Sequence, residues 1–311
     1  MSLQRPRPTP ARPRATAVAA TPPHVAVYRP AEALRDYVSF YYFVTANGPV
    51  DDFLYPEWGN VRFALYGDWR VTMAGYGPEP QVDGLFGPTD RCARVTTSGG
   101  RTVGSGLTPL GWSRILRENA AAMANRVRTL GDELGQPASD IRLALARDAS
   151  DADGVARLDR ILLDLIAGET SDSAVLAAVD RSLGARPADV VEFAAKVGVS
   201  PRSLQRLCLR LYGFPPKRLI RRQRFLDTLG KFRTAVGEPL QAAIDPDYFD
   251  QAHFYRDFRD FMGMSPRAYF GASRALMSRA AKAQEAAGVT LSFKLPANSD
   301  QRPEQVVSLI G

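Results

Sequence analysis

The spacing of hydrophobic positions changes partway along the chain. From about Val25 to Pro109, apolar and polar residues alternate, and Gly, Pro or Asp interrupts the pattern every few residues. Period two with frequent turn residues is typical of short strands in a small barrel or sandwich. Gly67 and Asp68 separate two such runs and predict a two-residue hairpin. The predicted strands are residues 37–44, 61–66, 69–75, 82–86, 93–97 and 102–107.

After Pro109 the apolar residues recur at the spacing of helices. The pattern predicts helices near residues 113–130, 139–147 and 153–167. Residues 161–166, in the last of these, are apolar on more than one face. Such a run favours either packing under the strands or a dimer interface, and the pattern does not separate the two.

A sixteen-residue pattern then occurs twice, at residues 204–219 and again, fifty positions later, at 254–269. In both copies apolar residues follow i, i+4, i+7 spacing, which gives one buried helical face. Each copy then has a glycine suited to a left-handed C′ position and a proline suited to a new helix start. The equivalent pairs are Leu204 and Phe254, Arg206 and Arg256, Cys208 and Phe258, Leu211 and Phe261, Gly213 and Gly263, and Pro216 and Pro266.

The residues before the first copy predict a helix-turn-helix unit. Residues 191–199 are apolar at helical spacing and include the small Ala194, which allows two helices to cross closely. Gly198 suits the turn, Ser200 is a good N-cap, and Pro201 suits the first helical turn. A helix, a short glycine-containing turn and a second amphipathic helix make up this motif.

The second copy is less regular. Ala243 and Asp247 occupy its small-residue and turn positions, and Pro246 must shorten or bend its first helix. Asp250 and Gln251 open its second helix. Between the copies, residues 217–232 predict one long helix whose inner side carries Leu219, Leu226 and Leu229.

Arginine and glutamine crowd the outer faces of the two second helices, predicted at about Pro201–Tyr212 and Gln251–Met262. These side chains suit guanine and adenine edges in the major groove. Two such helices on one face of a duplex need about 34 Å between them, and a sixteen-residue helix spans about 24 Å before the helix radii are added. The candidate base-reading residues are Arg202, Gln205, Arg206, Gln251, His253 and Arg256. The candidate phosphate contacts are Arg210, Lys217, Arg221, Arg222 and Arg259.

Because of the residues described above, positions 175–275 resemble the C-terminal domain of AraC/XylS-type transcription regulators. The residues carrying the resemblance are Ala194, Gly198, Ser200, Leu204, Arg206, Gly213 and Pro216, then residues 248–254, Arg256, Phe258, Gly263, Ser265 and Pro266. The family usually has Gly where this chain has Asp247, and Pro246 is also unusual there. The resemblance implies two helix-turn-helix units joined by a long helix, with double-stranded DNA as partner.

Residues 54–59 and 107–111 resemble, less closely, the β-barrel sensor domains that precede the DNA-binding half in many such regulators. This implies a small-molecule effector in the barrel, a homodimer, or both, and RNA polymerase as a partner if the protein is an activator. The predicted fold class is α+β, a small cupin-like β-barrel with helices followed by an all-α double helix-turn-helix domain. The predicted domains are a disordered tail at 1–23, a sensor or dimerisation domain at 24–170, the DNA-binding domain at 171–281 and a second disordered tail at 282–311, after a frayed helix reaching about Ala287.

Charge agrees with this interpretation. The 311-residue chain has a net charge of +7. Residues 186–279 hold 17 Lys or Arg against 9 Asp or Glu, whereas the rest holds 23 against 24. The positive excess therefore lies on the predicted DNA-binding segment, where phosphates would be neutralised.

Other functions find little support in the composition. His24 and His253 are the two histidines, too few for a His-rich metal site in the barrel, and we expect no cofactor and no catalytic activity. Cys92 and Cys208 lie in different predicted domains and are interpreted as core residues. No apolar run approaches a membrane span and no secretion signal is present, so a cytoplasmic protein without a membrane partner is expected.

The barrel region also carries acids and aromatic residues that invite a functional interpretation. The acids Glu57, Asp68 and Asp83 each adjoin Gly, Pro or Trp, and Asp90 lies two residues after Pro88. Solvated turn positions are the favoured interpretation for all four. The aromatic residues either fill the core or line an apolar effector pocket, and core filling is favoured for most. They are Trp58, Tyr66, Trp69, Tyr76 and Phe86.

The sequence thus predicts a sequence-specific transcription regulator whose two recognition helices enter adjacent major grooves. One alternative is a nonspecific architectural DNA-binding protein with a purely structural barrel, which would bind all sequences with similar affinity. Another is an enzyme with a DNA-binding tail, in the manner of DNA-repair methyl acceptors. That alternative needs an activated cysteine, for which the two cysteines give little support.

Overall fold

The computed structural model describes residues 21–73, 78–80, 83–166, 173–234, 244, 248, 250–272 and 274–289. The predicted tails therefore lie outside the described residues, apart from 21–23 and 282–289. Ala243, Pro246, Asp247 and Tyr76 also lie outside them. Within the described part, no helix is long and apolar enough to cross a membrane, and no cluster of His, Cys, Asp or Glu could hold a metal ion.

The N-terminal half forms two antiparallel sheets. The strands are β1 His24–Tyr28, β2 Val38–Ala46, β3 Val50–Leu54, β4 Asn60–Gly67, β5 Arg70–Met73, β6 Pro78–Pro80, β7 Asp83–Phe86, β8 Ala93–Thr97, β9 Gly100–Leu107 and β10 Val127–Thr129. One sheet has the order β1-β2-β9-β4-β7-β10 and the other the order β3-β8-β5-β6. Buried side chains from both sheets, such as Val44, Val71 and Val95, share one core, so the sheets face each other as in a flattened barrel.

The predicted hairpin at Gly67 and Asp68 is wrong. Strand β4 pairs with β7 and β9, whereas β5 pairs with β6 and β8 in the other sheet. Asp68 accepts hydrogen bonds from the Thr97 hydroxyl at 2.8 Å and the Ser98 N–H at 2.7 Å. The carboxylate thus binds the turn between β8 and β9 while the chain crosses between the sheets.

The helix predicted over residues 113–130 is also wrong. That segment holds α1 Pro109–Gly111, a π-helical turn Trp112–Leu116, α2 Ala120–Met123 and strand β10. Arg117 is left-handed at φ 52°, which ends the first helical stretch. Asn119 then caps α2 by accepting from the Ala121 N–H. The buried Trp112 indole donates to the Glu118 carbonyl at 3.0 Å and holds this bend.

Helices α3 Ala138–Arg147 and α4 Asp151–Ile166 cover the outer face of the six-stranded sheet. Ile161 and Leu162 are buried there against strand residues such as Val103. The sequence left two alternatives open for residues 161–166, and for Ile161 and Leu162 the structure supports packing under the strands. Leu163 is on the opposite side of α4 and is exposed.

The regular elements in the described residues of the C-terminal half are all α-helices. Its helices are α5 Ser173–Gly184, α6 Val190–Val197, α7 Pro201–Tyr212, α8 Pro216–Thr234, α9 Gln251–Met262, α10 Pro266–Gly271 and α11 Ala275–Ala287. Leu219, Leu226 and Leu229 on α8 are buried, as predicted for the inner side of the long helix. The predicted fold class, α+β with a sheet-rich N-terminal half and a helical C-terminal half, is confirmed.

The last helix, α11, returns to the barrel, an arrangement that the predicted frayed helix did not include. Leu276 joins the core between the two sheets. The Asp52 carboxylate accepts from the N–H groups of Leu276 and Met277 at 2.9 and 3.0 Å, which satisfies the start of the helix. At the other end, the Arg29 guanidinium donates to the carbonyls of Ala287 and Gly288.

Candidate nucleic-acid interface

Helix α7 divides its residues between a core face and a solvent face. Ser200 caps it by accepting from the Ser203 N–H at 3.2 Å, and Gly213 ends it at φ 81°. Leu204, Cys208 and Leu211 are buried. Burial raises the pKa of the Cys208 thiol to about 12, so this cysteine is a neutral core group. The predicted DNA contacts on this helix all lie on the exposed face: Arg202, Gln205, Arg206 and Arg210.

Helix α9 repeats this division. Asp250 caps it by accepting from the His253 N–H at 2.6 Å, and Gly263 ends it at φ 68°. Phe254, Phe258 and Phe261 are buried at the positions that match the core of α7. Among the predicted DNA contacts of this helix, Gln251, Arg256 and Arg259 are exposed.

His253 differs from the other predicted base readers because it is half-buried. Its ring packs edge-on against Tyr248, with ring centroids 5.1 Å apart. Its Nε2 lies 3.3 Å from a guanidinium nitrogen of Arg224, a residue of the long helix. The structure therefore brings His253 to the contact between α8 and α9.

Helix α8 carries the remaining predicted phosphate contacts, and it does not present them equally. Lys217 is exposed at its start. Arg221 is half-buried and donates to both Asp257 and Asp260 of α9 at 2.6 and 2.9 Å. These acids neutralise the cation within the protein, so Arg221 is placed to hold α8 against α9.

Arg222 is placed even further from solvent, with a relative exposure of 1%. Its guanidinium donates to the Pro56 carbonyl at 2.9 Å and lies 3.9 Å from the centre of the Trp58 ring. Burial lowers its pKa to about 9, so it stays cationic at neutral pH. In this arrangement Arg222 joins the long helix to the N-terminal half and does not face the surface.

Pro56 and Trp58 belong to a segment, Tyr55 to Trp58, that lies between the two helical units; we call it the wedge. The Trp58 ring packs on Tyr212 in the core of the first unit, with centroids 5.6 Å apart. The Tyr55 ring is buried in the core of the second unit, where its hydroxyl hydrogen-bonds that of Tyr269. Through Tyr55, Pro56 and Trp58, this short segment of the N-terminal half thus contacts both units and the helix between them.

A second loop reinforces this contact. Arg218 on α8 pairs with Asp90 of the N-terminal half and with Asp260 of α9. The Cys92 N–H donates to the Phe261 carbonyl at 2.7 Å. Phe261 lies on the buried side of α9, whereas Asp260 is four residues after Arg256 and therefore lies beside the exposed face of the helix. Gln251, Arg256 and Arg259 stay exposed with these contacts in place. The exposed faces of both recognition helices stay open.

The prediction of solvated turn acids fails for most of the acids in the barrel region. Asp83 and Asp90 are buried, and Glu57 pairs with Arg62 at 2.9 Å. The partners of Asp83 and Asp90 are Arg142 and Arg218, which lie 59 and 128 positions away in sequence. Asp68 alone of the four is exposed, although it binds the neighbouring turn.

The aromatic residues of the barrel region have several roles. Phe86 lies in the core between the sheets, and Trp58 lies in the wedge. Tyr66 is 59% exposed. Trp69 lines an internal cavity of ≈ 80 Å³. Sequence reasoning missed the connecting residues Arg62, Arg218 and Arg224; the one available signal was that Asp257 and Asp260 interrupt an otherwise basic helix.

Residues 193–272 match a family model described as a helix-turn-helix domain. The matched range runs from the end of α6 through both capped helices to the end of α10. The C-terminal part of the chain is an AraC-type helix-turn-helix domain. The resemblance found in the C-terminal part of the sequence is thereby confirmed for this domain. A search of curated proteins found no match.

Several solved structures align with this chain at low identity. ToxT from Vibrio cholerae is 9% identical, covering 80% of this chain and 98% of that chain with a TM-score of 0.43. ToxT with a bound unsaturated fatty acid is 8% identical, covering 79% and 93% with a TM-score of 0.39. The AraC-like transcriptional activator CuxR is 12% identical, covering 65% and 85% with a TM-score of 0.30. The assignment rests on the helix-turn-helix match.

Proposed function

We propose that the protein is a sequence-specific transcription regulator whose helices α7 and α9 read adjacent major grooves. The observation that carries this proposal is the equivalence of the two helices. Each has twelve residues, a side-chain N-cap, a left-handed glycine at its end and a buried apolar face. Each also exposes one arginine at the same repeat position, Arg206 and Arg256.

The exposed faces have the chemistry for base reading and phosphate contact. Arginine makes bidentate hydrogen bonds to guanine, and glutamine does so to adenine. We assign base reading to Arg202, Gln205 and Arg206 on α7 and to Gln251 and Arg256 on α9. Arg210, Lys217 and Arg259 are exposed and are assigned to phosphates, which fix the register of a protein on the duplex. Arg221, Arg222 and His253 are proposed to act through the protein interior.

The N-terminal half is proposed to sense a small effector. The cavity lined by Trp69 lies between the two sheets, and Glu57 of the wedge also lines it. A molecule bound there would touch the segment that contacts both DNA-binding units. Homodimerisation remains the second proposal for this half, supported by the exposed Leu143 and Leu163 on α3 and α4.

The test is a selection of bound sequences from a random pool of double-stranded DNA at physiological and raised salt. The wild type is compared with Arg206→Ala, Arg256→Ala and the control Arg35→Ala, which removes an exposed arginine of the N-terminal half. We expect a motif with two parts about one helical turn apart. Each variant at a recognition helix should reduce the discrimination between bases in one part of the motif by about 1–3 kcal/mol. Arg35→Ala should change the discrimination in neither part.

Other outcomes have definite meanings. A motif lost only with Arg206→Ala makes the second unit a phosphate clamp. Binding without any motif that fades with salt contradicts the regulator and supports an architectural DNA-binding protein.

A further inference from the structure

The cavity between the sheets is partly open, and one side of it is covered by a helix that follows the DNA-binding domain. Its walls come from both sheets and from the inner face of α11, where Leu276, Met277 and Ala280 line it. The volume of ≈ 80 Å³ compares with the about 10–15 Å³ that one water molecule requires. Since an apolar cavity of about 150 Å³ holds benzene, the space suits a molecule no larger than a single ring.

The lining is mostly apolar, and its aromatic side chains are Phe40, Tyr42 and Trp69. Apolar walls with a few convergent polar groups are typical of small-molecule sites. Burial raises the pKa of the Tyr42 hydroxyl, which therefore stays neutral.

The charges inside the cavity are already balanced. Glu57 and Arg62 are the two ionisable acid and base residues in the lining, and they pair at 2.9 Å with side-chain exposures of 14% and 7%. Arg62 also donates to the Asn60 side chain at 3.3 Å and lies 4.2 Å from the centre of the Phe86 ring. An ionised ligand would find no counter-charge without breaking this pair, and an uncompensated charge in a buried site is costly.

We propose that this cavity binds an uncharged, largely apolar ring compound held between the barrel and α11. The proposal names the chemical class of the effector proposed above. Only the regulatory role of the ligand, and not its binding, rests on the proposed function. Hydroxyl or carbonyl groups of the ligand can meet Asn60, Thr102 or Gln284, which supply the polar positions of the lining. The ring contacts the aromatic walls, and the helix covers it.

The test uses two single-ring compounds that differ in charge, with binding measured by isothermal titration calorimetry. Phenol is uncharged at neutral pH, and benzenesulfonate has the same ring with a sulfonate in place of the hydroxyl. Titrated into the full-length protein, the neutral probe should bind at least tenfold more tightly than the anion. Equal or tighter binding of the anion overturns the proposal.

Variants of α11 locate the binding. Ala280→Phe fills the cavity, whereas Ala286→Phe adds the same group at an exposed position of the same helix. We expect Ala280→Phe to weaken binding of the neutral probe at least tenfold and Ala286→Phe to leave it unchanged. Ala280→Leu gives a smaller filling if the Phe variant does not fold. Full binding by a folded cavity-filling variant overturns the assignment to this site.

The DNA selection separates this inference from the proposed function. Probe binding that follows these expectations without a DNA motif leaves the cavity assignment standing and removes the regulator. A DNA motif without selective probe binding supports the regulator and removes the cavity assignment.

Discussion

At the scale of single residues, the arginines of the DNA-binding domain divide into two groups with different surroundings. Arg202, Arg206 and Arg256 project into solvent from recognition helices. Arg218, Arg221 and Arg222 bind carboxylates, a carbonyl and an indole ring inside the protein. A basic segment thus supplies both an exposed surface, which we propose contacts DNA, and the contacts that fix this segment to the rest of the molecule. Net charge alone does not separate the two uses.

The salt dependence of DNA binding should separate these groups. Each phosphate contact contributes about 0.9 to the slope of log affinity against log salt concentration. Lys217→Ala removes an exposed cation and should lower the slope by about one unit. Arg222→Met removes a buried cation and should leave the slope unchanged, although it weakens the contact with Trp58. The measurement is fluorescence anisotropy with labelled DNA at several salt concentrations; a slope reduced by Arg222→Met would show that this side chain reaches a phosphate in the complex.

The sequence predicted surface residues and core residues of the recognition helices with success because both depend on local periodicity. Leu204 and Phe254 are buried where the helical spacing places them, and Arg206 and Arg256 are exposed. The turn acids were wrong for a different reason. Asp90 finds Arg218 across 128 positions, and no local pattern encodes such a pair.

At the scale of elements, the first helix-turn-helix unit is held together by a part-buried polar pair as well as by its apolar core. The Tyr212 hydroxyl at the end of α7 donates to the Asp180 carboxylate of α5. Burial raises the pKa of Asp180 to about 6, above its ordinary value of 3.8, although the hydrogen bond from Tyr212 opposes the shift. The contact between α5 and α7 therefore contains a carboxyl group that folding makes harder to ionise.

The sign of the resulting pH dependence follows from this raised pKa. The contribution of Asp180 to stability is fully present below about pH 4 and is lost as the pH rises through about 6. Asp180→Asn keeps an acceptor for Tyr212 but does not ionise. Between pH 5 and pH 7.5 we expect the stability of the wild type to fall by about 1 kcal/mol relative to this variant. Urea unfolding at the two pH values measures the difference, with the exposed Asp132→Asn as control; no relative change would show that Asp180 ionises freely.

Elements were predicted best where the capping residues and the hydrophobic spacing indicate the same helix boundaries. The ends of α7 and α9 match their predicted limits, since Ser200 and Asp250 start them and Gly213 and Gly263 end them. The hairpin at Gly67 failed because turn chemistry gives no information about which sheet the next strand joins. The helix predicted after Ser113 failed because a tertiary contact, the burial of Trp112, bends the chain there.

At the scale of the whole molecule, the wedge couples the N-terminal half to both helical units through buried side chains. Trp58 is buried in the core of the first unit and Tyr55 in the core of the second. Glu57 between them lines the cavity. A change of shape at the cavity has a direct path of packed side chains to both recognition helices.

Truncation of the wedge tests this dependence. Trp58→Ala should lower the free energy of unfolding by about 3–5 kcal/mol, the usual cost of deleting a buried large aromatic side chain. Hydrogen exchange should quicken in α7 and α8 as well as in the N-terminal half. The control is Tyr66→Ala, which removes an exposed aromatic residue and should change neither quantity. Faster exchange confined to residues 21–166 would contradict the packing of Trp58 on Tyr212.

The return of α11 to β1 and β3 has a consequence for the newborn chain. Asp52 and Arg29 are synthesised well over two hundred residues before the backbone groups of α11 that they bind. At about 5–20 residues per second, the barrel waits at least several seconds on the ribosome for its cover. During that interval its interior is open, and a compound present at the time can enter without displacing anything. A ligand would then bind most easily during translation. Its later dissociation would be limited by the rate at which α11 moves away from the barrel.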